Sequence, residues 1–389
     1  MNALVITPSK ILPASSGAPI YTNGMLKYLK HLGYTTTLVN FYTDEDYSDE
    51  EMATLKDYVD DVQTCKLIFQ NIKLNMSLRY ANSIRKYTRR AMWRLLQDVK
   101  ARTDFDLVVI DHLHMFEYAN LFLDKKVLLH THNVESNLWL ELSQKETGLK
   151  KFLISRNYRL LAAYEAEAVL QADEVTAISD ADATKLGEMT KNEKKVHVFH
   201  GYNKFELIKE ETDVLSASHK ILFIGDYSWY PNANAALFLI GEVMPILRTL
   251  DPQIQLFLVG KRPTEEMQNL AKDLKDVTVT GMVDSIDPYL KEADVFVNAV
   301  TEGSGLNIKM IEAMGKGIPL VSSEFGARGF TVADGREVLF YDTAANCAEK
   351  VMQLITDRQF ALALRNQARV YYEAFVEPSE EIREVFLNE

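Results

Sequence analysis

The chain has 389 residues, of which 47% are hydrophobic and 25% charged, a composition typical of a globular protein with about two domains. Its formal net charge of −12 argues against general nucleic-acid binding. The two cysteines, Cys65 and Cys347, exclude a disulfide framework and a CxxC metal site and favour a reducing cytoplasm. We expect no signal peptide at the N-terminus and no membrane span, since no apolar stretch reaches about 18 residues.

The first half alternates predicted strands and helices. Buried strands are predicted at 3–7, 36–41, 106–111, 126–131, 173–178 and 196–199. A helix at 20–32 joins the first two strands, and the loop before it contains Ser16 and Gly17 at the carboxyl end of strand one. Ligands bind at that edge of open α/β sheets, and a glycine lets a ligand approach the backbone. A plain flexible loop explains the same residues equally well.

Two neighbouring stretches have opposite charge. Residues 43–61 are acidic and are expected to be irregular, whereas 73–102 is basic, with Asp98 as its single acid and with aromatic and aliphatic residues interleaved. A basic amphipathic helix at 73–102 is one expectation, and such a helix can lie on an anionic membrane surface. The alternative is a helix whose apolar stripe is core and whose basic face is solvated.

A polar motif follows the predicted strand at 126–131. It runs His130-Thr131-His132-Asn133-Val134-Glu135-Ser136, where catalytic loops usually lie. His132 is therefore a candidate functional residue, although a lone histidine is often a structural group. Joint metal binding by His130 and His132 is disfavoured, because the strand is expected to end between them. A helix at 151–171 and a short helix capped by Ser179 complete this half.

The second half repeats the alternation of strands and helices after a linker expected at 204–218. Strands are predicted at 220–224, 255–259, 277–280, 294–298, 318–321 and 337–341. The first ends at Gly225 and is followed by Trp229 and a helix that reaches about residue 247. Helices are predicted over 344–375, and Pro378 precedes a short final helix.

A glycine-rich turn at 301–305 separates a strand from a helix in this half. Backbone N–H groups and the helix dipole make such a turn an anion site. Lys309, in the first turns of the helix, suits a bound anion, and Glu312 can accept hydrogen bonds from sugar hydroxyls. The alternative is that the glycines only permit a tight turn and that Lys309 and Glu312 form a solvated pair.

Two successive β/α units with loops at the strand carboxyl ends predict an α/β fold of two Rossmann-like, doubly wound domains that face each other across a cleft. The sequence resembles the GT-B-fold glycosyltransferases of the family-four-like, group 1 branch. The motifs that carry the resemblance are Gly303-Ser304-Gly305-x-x-x-Lys309-x-x-Glu312-Ala313-Met314, Gly317-x-Pro319, the 322–329 loop, Phe223-Ile224-Gly225 with Trp229-x-Pro231-Asn232, His132-Asn133-Val134-Glu135-Ser136 and Ala177-Ile178-Ser179.

The resemblance implies a nucleotide-sugar donor bound by a C-terminal domain at 206–375 and a glycan or glycoconjugate acceptor bound by an N-terminal domain at 1–205, to which the helix at 376–389 returns. It implies transfer with retention, no metal and no cofactor. It assigns Glu312 to the ribose, and it assigns Lys309 with Ser304, Gly305 and Leu306 to the diphosphate. It places His132 near the transferred sugar and Gly17 beside the diphosphate. Gly225 is a further donor-side candidate, and Ser16, Asn133, Glu302 and Trp229 are acceptor-side or unassigned candidates.

This sequence departs from the family pattern at three positions. Ser304 stands where the family has the first of two glutamates, with Glu302 two residues earlier, and Gly225-Asp226 replaces a glycine-arginine pair. His200-Gly201 replaces the Asn-Gly pair that follows the linker strand. These departures keep a second hypothesis open, a non-catalytic GT-B-fold partner subunit. A nucleotide-sugar 2-epimerase ranks below both. The sequence leaves the donor base, the sugar, the acceptor, the linkage and the oligomeric state open.

Overall fold

The computed structural model describes residues 1–13, 17–68, 81–303 and 306–387 and divides the chain into two compact units. Unit 1 comprises Met1–Asn203 and Pro378–Glu389, and unit 2 comprises Lys204–Glu377. The changes of unit lie at 203/204 and 377/378, compared with the expected boundaries at 205/206 and 375/376.

Unit 1 is built on a parallel sheet of seven strands in the order β3-β2-β1-β4-β5-β6-β7. The strands are β1 Asn2–Thr7, β2 Thr35–Tyr42, β3 Asp61–Lys66, β4 Leu107–Asp111, β5 Lys126–Thr131, β6 Glu174–Ala177 and β7 His197–Val198. All five residues of β4 are buried, as expected for a strand covered on both faces. The strand order reverses direction between β1 and β4, and a crevice forms at the carboxyl ends of strands at such a point.

The helices of unit 1 lie on both faces of this sheet, and a 3₁₀ helix of nine residues lies at Leu113–Leu121. They are α1 Gly17–His31, α2 Asp49–Leu55, α3 Asn82–Tyr87, α4 Arg90–Arg102, α5 Glu135–Lys145, α6 Gly148–Gln171 and α7 Asp180–Met189. The helix expected at 20–32 begins at Gly17, and α5 was not predicted.

Two expectations for this unit are wrong. The acidic stretch at 43–61 is not irregular, because Ser48 and Glu51 form a capping box that starts α2, and β3 begins at Asp61. The basic stretch is not one helix in its described part, residues 81–102. The break falls at Thr88 and Arg89, where the Tyr118 hydroxyl accepts a hydrogen bond from Arg89 N (2.9 Å) and donates to Tyr87 O (2.6 Å). Residues 73–80 of the predicted helix lie outside the described residues.

Unit 2 repeats the design with a six-stranded parallel sheet in the order β10-β9-β8-β11-β12-β13. Its strands are β8 Lys220–Ile224, β9 Gln255–Val259, β10 Val277–Gly281, β11 Val295–Asn298, β12 Leu320–Ser323 and β13 Leu339–Tyr341. Its helices are α8 Glu211–Leu215, α9 Tyr230–Phe238, α10 Met244–Leu250, α11 Glu265–Ala271, α12 Asp287–Glu292, α13 Ile308–Lys316, α14 Ala344–Thr356 and α15 Arg358–Val376. The expected linker at 204–218 thus contains α8 and belongs to unit 2.

A π-helical turn at Leu239–Val243 joins α9 and α10 into one continuous helix. This helix, Tyr230–Leu250, is long and apolar enough by length and composition alone to cross a membrane, which corrects the expectation that no such stretch exists. Its apolar side, including Leu239, Val243 and Leu247, is buried in the core of unit 2. A core helix of this kind passes the same test, so the feature is weak evidence for a span.

The last helix, α16 Glu380–Phe386, packs in unit 1 although it follows unit 2 in sequence. Ile382, Val385 and Phe386 are buried in the same apolar cluster as Leu29. The Tyr34 hydroxyl donates a hydrogen bond to Phe386 O at 2.7 Å. Burial of these three apolar side chains, each of which contributes about 2 kcal/mol, holds the C-terminal segment on this unit.

Candidate active site

The carboxyl edge of the unit 1 sheet is organised around one buried carboxylate, Asp111, the last residue of β4. It accepts hydrogen bonds from the hydroxyls of Thr7 at the end of β1 and Thr22 of α1, both at 2.7 Å. It accepts a third from His132 Nε2, also at 2.7 Å. Burial opposes ionisation of this fully enclosed group, but the interaction with His132, including its hydrogen bond, holds the pKa of Asp111 far below its usual range.

Three histidines surround this carboxylate. The ring of His112 stacks on His132 with 3.8 Å between centroids, and His130 meets His132 edge-on at 4.9 Å. Burial, followed by the neighbouring His132, lowers the pKa of His112 far below its usual value and that of His130 to about 3. His112 and His130 are therefore neutral at physiological pH.

The backbone at His112 is strained. Its φ of 75° lies in a region that residues other than glycine rarely adopt. Its amide donates to His130 O at 2.9 Å, which ties the turn after β4 to the adjacent strand. Strain of this kind costs about 1–3 kcal/mol and clusters at functional sites.

The group Asp111, His130 and His132 offers ligand atoms within 4.8 Å of one another. Both carboxylate oxygens of Asp111 are already engaged in hydrogen bonds, and His130 Nδ1 lies 2.8 Å from Thr176 Oγ1. The arrangement is therefore that of a hydrogen-bonded network.

The start of α5 adds a second polar cluster at this edge. The buried carboxylate of Glu165 accepts hydrogen bonds from the amides of Glu135 (2.7 Å) and Ser136 (3.1 Å), and it caps the helix that the sequence did not predict. Burial, then repulsion by Glu165, raises the pKa of Glu135 to about 7. The Glu135 carboxylate lies 3.9 Å from His114 Nε2.

The remaining candidates of unit 1 lie at two loop ends. Gly17 is the first residue of α1, and Ser16 lies outside the described residues. Asn133 is partly buried and follows His132 directly, with its side chain bonded to Glu135.

In unit 2, the carboxyl edge begins with a close approach of two strand ends. A Cβ on Gly260, whose φ is +145°, would lie 1.8 Å from Gly225 O, so no other residue fits there. Gly225 itself lies against Asn232, whose Cγ would be 3.0 Å from an added Cβ. The glycine candidate at 225 thus has a packing role at this edge.

Helix α13 starts at this edge without a side-chain cap. Its N-cap residue, Asn307, donates to Gly326 O at 2.8 Å instead of capping the helix, and the first turn contains no acidic residue. Two amides of this turn already donate to the backbone, Ile308 N to Leu306 O at 3.0 Å and Met310 N to Asn307 O at 2.9 Å. An anion here would therefore depend mainly on the helix dipole and on Lys309. Leu306 packs against Gly329, where an added Cβ would lie 2.3 Å from Leu306 Cδ2. Ser304 and Gly305 lie outside the described residues.

Lys309 extends from the first turn of α13 into a partly buried position. Its ammonium donates to Asn232 Oδ1 at 2.6 Å and lies 4.6 Å from the centre of the Phe223 ring. Burial lowers the pKa of Lys309 to about 7. The alternative of a solvated Lys309–Glu312 pair is wrong, because Glu312 pairs with Lys316 at 2.8 Å.

Residues 218–357 match the family model described as Glycosyl transferases group 1, and residues 15–201 match the model described as Glycosyltransferase Family 4. The chain belongs to the group 1 glycosyltransferases. Solved structures with the same fold include Anabaena HepE in complex with UDP and glucose (TM-score 0.66, 14% identity, 100% of both chains). They also include WaaG, a glycosyltransferase involved in lipopolysaccharide biosynthesis (TM-score 0.65, 13% identity, 100% of both chains).

A curated relative, the uncharacterized 44.6 kDa protein in the cps region of Klebsiella pneumoniae, is 21% identical over 350 residues, 86% of each chain. The structural matches confirm the predicted fold class of two Rossmann-like, parallel-sheet domains. They leave the roles of individual residues to the geometry of this glycosyltransferase.

Glu302 and Trp229, which the sequence gives as acceptor-side or unassigned candidates, lie at the described end of the glycine turn. Glu302 accepts a hydrogen bond from Asn234 Nδ2 at 2.6 Å. Trp229 is 45% exposed, and its Nε1 would lie 3.7 Å from a Cβ on Gly303. Arg328 donates to Gly303 O at 3.1 Å. An exposed aromatic ring and a guanidinium thus flank the described end of the turn.

Sequence reasoning missed a cation at this edge. Asp226, which stands where the family has an arginine, is paired with Arg262: Arg262 Nε donates to Asp226 Oδ1 at 3.1 Å, and a second bond joins Nη2 to Oδ2. Lys261 Nζ lies 3.9 Å from the same carboxylate. The signal was the Lys261-Arg262 pair, which follows β9 after Gly260, because strand ends of one parallel sheet meet at one edge.

Proposed function

We propose that this glycosyltransferase moves a sugar from a UDP- or GDP-sugar to a glycan, lipid-linked or protein-linked acceptor, with retention at the anomeric carbon and without a metal ion. The observation that carries the proposal is the start of α13, where the helix has no side-chain cap and no acidic residue in its first turn and where Lys309 supplies a cation. The positive end of the helix dipole together with that cation suits a nucleoside diphosphate.

The chemistry follows from the leaving group. Cleavage of the bond between the sugar and the diphosphate places negative charge on phosphate oxygens, and groups that are already oriented stabilise that charge at little cost. Lys309 and the first turn of α13 supply the positive charge without a metal. Glu312, partly buried one turn on and paired with Lys316 at 2.8 Å, accepts hydrogen bonds from the ribose hydroxyls.

Two solved structures with the same fold support the proposal. HepE, with the same fold, is described with UDP and glucose, and WaaG is described as acting in lipopolysaccharide biosynthesis. Both support a nucleotide-sugar donor and a role in polysaccharide or glycoconjugate assembly. Such acceptors favour a cytoplasmic enzyme at the inner face of the membrane, and the basic residues of α3 and α4 offer it an anionic-lipid contact.

The test is nucleotide binding and donor turnover. With UDP or GDP at 100 times its dissociation constant, binding stabilises the folded state by about 2.7 kcal/mol. For a unit of this size we expect a rise of roughly 5 to 10 °C in melting temperature. A panel of UDP- and GDP-sugars then identifies the donor by hydrolysis in the presence of EDTA, and NMR of the released sugar reports the anomeric configuration.

Two variants make the test specific. Lys309→Ala is expected to abolish turnover while the protein stays folded. Its matched control is Lys275→Ala, an exposed lysine before β10 at the opposite edge of the same sheet. If no nucleotide binds and no donor is turned over, the chain acts as a non-catalytic partner subunit instead. Full turnover by Lys309→Ala would remove that residue from the diphosphate site.

A further inference from the structure

Two exposed aromatic side chains lie at the carboxyl edge of unit 2. Trp229 and Tyr230 follow β8, they are 45% and 44% exposed, and their ring centroids lie 5.3 Å apart. Neither belongs to the buried apolar clusters of unit 2 in the part of the chain that the structure describes. The backbone nevertheless fixes Trp229, whose carbonyl accepts hydrogen bonds from Asn232 N (3.0 Å) and Ala233 N (3.3 Å) in the first turn of α9. A large aromatic ring that the core does not use, held at a ligand-binding edge, indicates a contact with a ligand.

Three side chains from different elements meet at Gly303. A Cβ on this glycine, whose φ is +114°, would lie 3.7 Å from Trp229 Nε1. Arg328, from the loop after β12, donates to Gly303 O at 3.1 Å. The carboxylate of the preceding residue, Glu302, accepts a hydrogen bond from Asn234 Nδ2 at 2.6 Å. An indole, a guanidinium and a carboxylate therefore surround one backbone position.

The two charged groups are held in place and keep hydrogen-bonding capacity. The Arg328 guanidinium lies 4.2 Å from the centre of the Phe325 ring, and its bond to Gly303 O fixes its direction. A guanidinium has five N–H groups, so one such bond leaves others for a ligand. The Glu302 carboxylate bonds Asn234 through Oε1, and its remaining lone pairs can accept hydrogen bonds. Fixed donors and acceptors thus lie next to an exposed aromatic face.

This combination selects a class of ligand. A sugar ring has an apolar face of C–H groups, which packs on an indole, and a rim of hydroxyls that both donate and accept hydrogen bonds. A carboxylate accepts from such hydroxyls and a guanidinium donates to them. Because Glu302 and Arg328 have opposite charges, the position favours neither an anion nor a cation, in contrast to the site beside Lys309. A neutral polyhydroxylated ring fits it best.

We propose that Trp229, Glu302 and Arg328 form a saccharide subsite that binds one neutral sugar ring, with the indole against the apolar face of the ring and the two charged groups at its hydroxyls. The ring belongs either to the sugar that the nucleotide donor carries or to the acceptor, since both present the same chemistry. A saccharide ligand requires only that the chain is a glycosyltransferase, whereas the donor source rests on the proposed function.

The first experiment observes Trp229 in the wild-type protein. Labelling with 5-fluorotryptophan gives three ¹⁹F resonances, because the chain has three tryptophans, and Trp229→Phe identifies one of them. The donor titrations compare UDP with UDP-glucose and UDP-N-acetylglucosamine, and GDP with GDP-mannose. The acceptor titrations use methyl glucoside, methyl galactoside and methyl mannoside, with and without UDP. We expect the Trp229 resonance to shift with a sugar-bearing ligand and to stay in place with the nucleotide alone.

The second experiment separates sugar binding from the structure of the turn. Trp229→Ala should raise KM for the sugar-bearing substrate about 10-fold, because an apolar contact is lost, and should leave the dissociation constant of UDP unchanged. Trp229→Phe keeps an aromatic face and should recover most of the loss. The matched control is Phe152→Ala, which removes an exposed aromatic ring from α6 of unit 1 and should leave both quantities unchanged.

The outcomes separate this inference from the proposed function. A Trp229 shift with nucleotide-sugars identifies the donor sugar as the ligand, and a shift with the methyl glycosides identifies an acceptor sugar. An equal shift with UDP alone, no shift with any saccharide, or an equal loss of UDP affinity in Trp229→Ala overturns the subsite. If no nucleotide binds, the proposed function fails, and the methyl glycosides still decide the subsite. If Trp229→Phe or Trp229→Ala does not fold, Trp93→Phe and Trp139→Phe assign the wild-type resonances by elimination.

Discussion

Replacement of Lys309 by methionine tests the donor site through the lowered pKa of this lysine. Burial lowers the pKa of the Lys309 ammonium to about 7 in the free protein. Among the described residues this ammonium donates to Asn232 Oδ1, and it lies beside the Phe223 ring. A bound diphosphate restores the counter-charge that burial removes, so the pKa must rise on binding. Binding above pH 7 therefore takes up a proton.

The magnitude follows from the pKa. At pH 8, about a tenth of the free protein carries the proton on Lys309, so binding takes up about 0.9 proton per site. Because the proton must be supplied before the charged contact forms, nucleotide affinity falls as pH rises. Between pH 7.5 and pH 9 we expect a loss of roughly 25-fold. A charge-assisted contact contributes about 1.5–3 kcal/mol, so Lys309→Met should lose roughly 10- to 100-fold in affinity at pH 7.

Isothermal titration calorimetry with UDP or GDP measures both quantities. Titrations in two buffers of different ionisation enthalpy give the number of protons taken up at each pH. Lys275→Met is the matched control and should keep the wild-type affinity and proton uptake. Wild-type binding without proton uptake at pH 8, or unchanged affinity in Lys309→Met, would refute the assignment of the buried ammonium to the diphosphate.

Three further changes have defined expected results. Arg262→Ala should weaken the binding of UDP or GDP in calorimetry, because the unpaired charge of Asp226 then repels the phosphates. Adding Asp226→Asn should recover most of the lost affinity. No recovery would contradict the proposed pairing of the two residues. Gly260→Ala should lower the free energy of unfolding of unit 2, measured in urea, by at least about 3 kcal/mol, because the added Cβ would overlap Gly225 O. The control is Gly241→Ala, whose added Cβ has no atom within 4 Å and which should be nearly neutral. Replacing Arg85 of α3 and Arg90 and Arg94 of α4 by glutamine should weaken binding to anionic vesicles by about 1 kcal/mol for each arginine, as measured by co-sedimentation. Unchanged binding would contradict a membrane contact there.

The sequence predicted the central strands of both sheets because they are continuous apolar runs, and it missed elements whose residues are polar. Strand β3, at the edge of its sheet, has the sequence DVQTCK, which contains no apolar run. Helix α2 has a readable start, the capping box of Ser48 and Glu51, but its surrounding acidic residues suggested a loop. The basic stretch was interpreted as one helix because the hydroxyl that breaks it belongs to Tyr118, outside the stretch.

The candidate site was predicted in part for a similar reason. His132 and Lys309 stood out because each follows a strand in a recognisable motif, and the structure places both at carboxyl edges of their sheets. Hydrogen-bond partners far away in the sequence could not be predicted. Lys309 bonds Asn232, 77 positions away, and Arg262 bonds Asp226, 36 positions away. Asp111 ended a predicted strand but carried no motif, and its importance appears only from the three donors that converge on it.

The two sheet edges therefore have opposite chemistry, and the difference comes from one residue in each. In unit 2, burial lowers the pKa of Lys309 to about 7, and the anion that we propose to bind there would restore its charge. In unit 1, Asp111 keeps a negative charge deep in the sheet edge, where Thr7, Thr22 and His132 surround it, so that edge disfavours anions. Under the proposed function, the diphosphate of the donor therefore binds at the edge of unit 2 and not at the edge of unit 1.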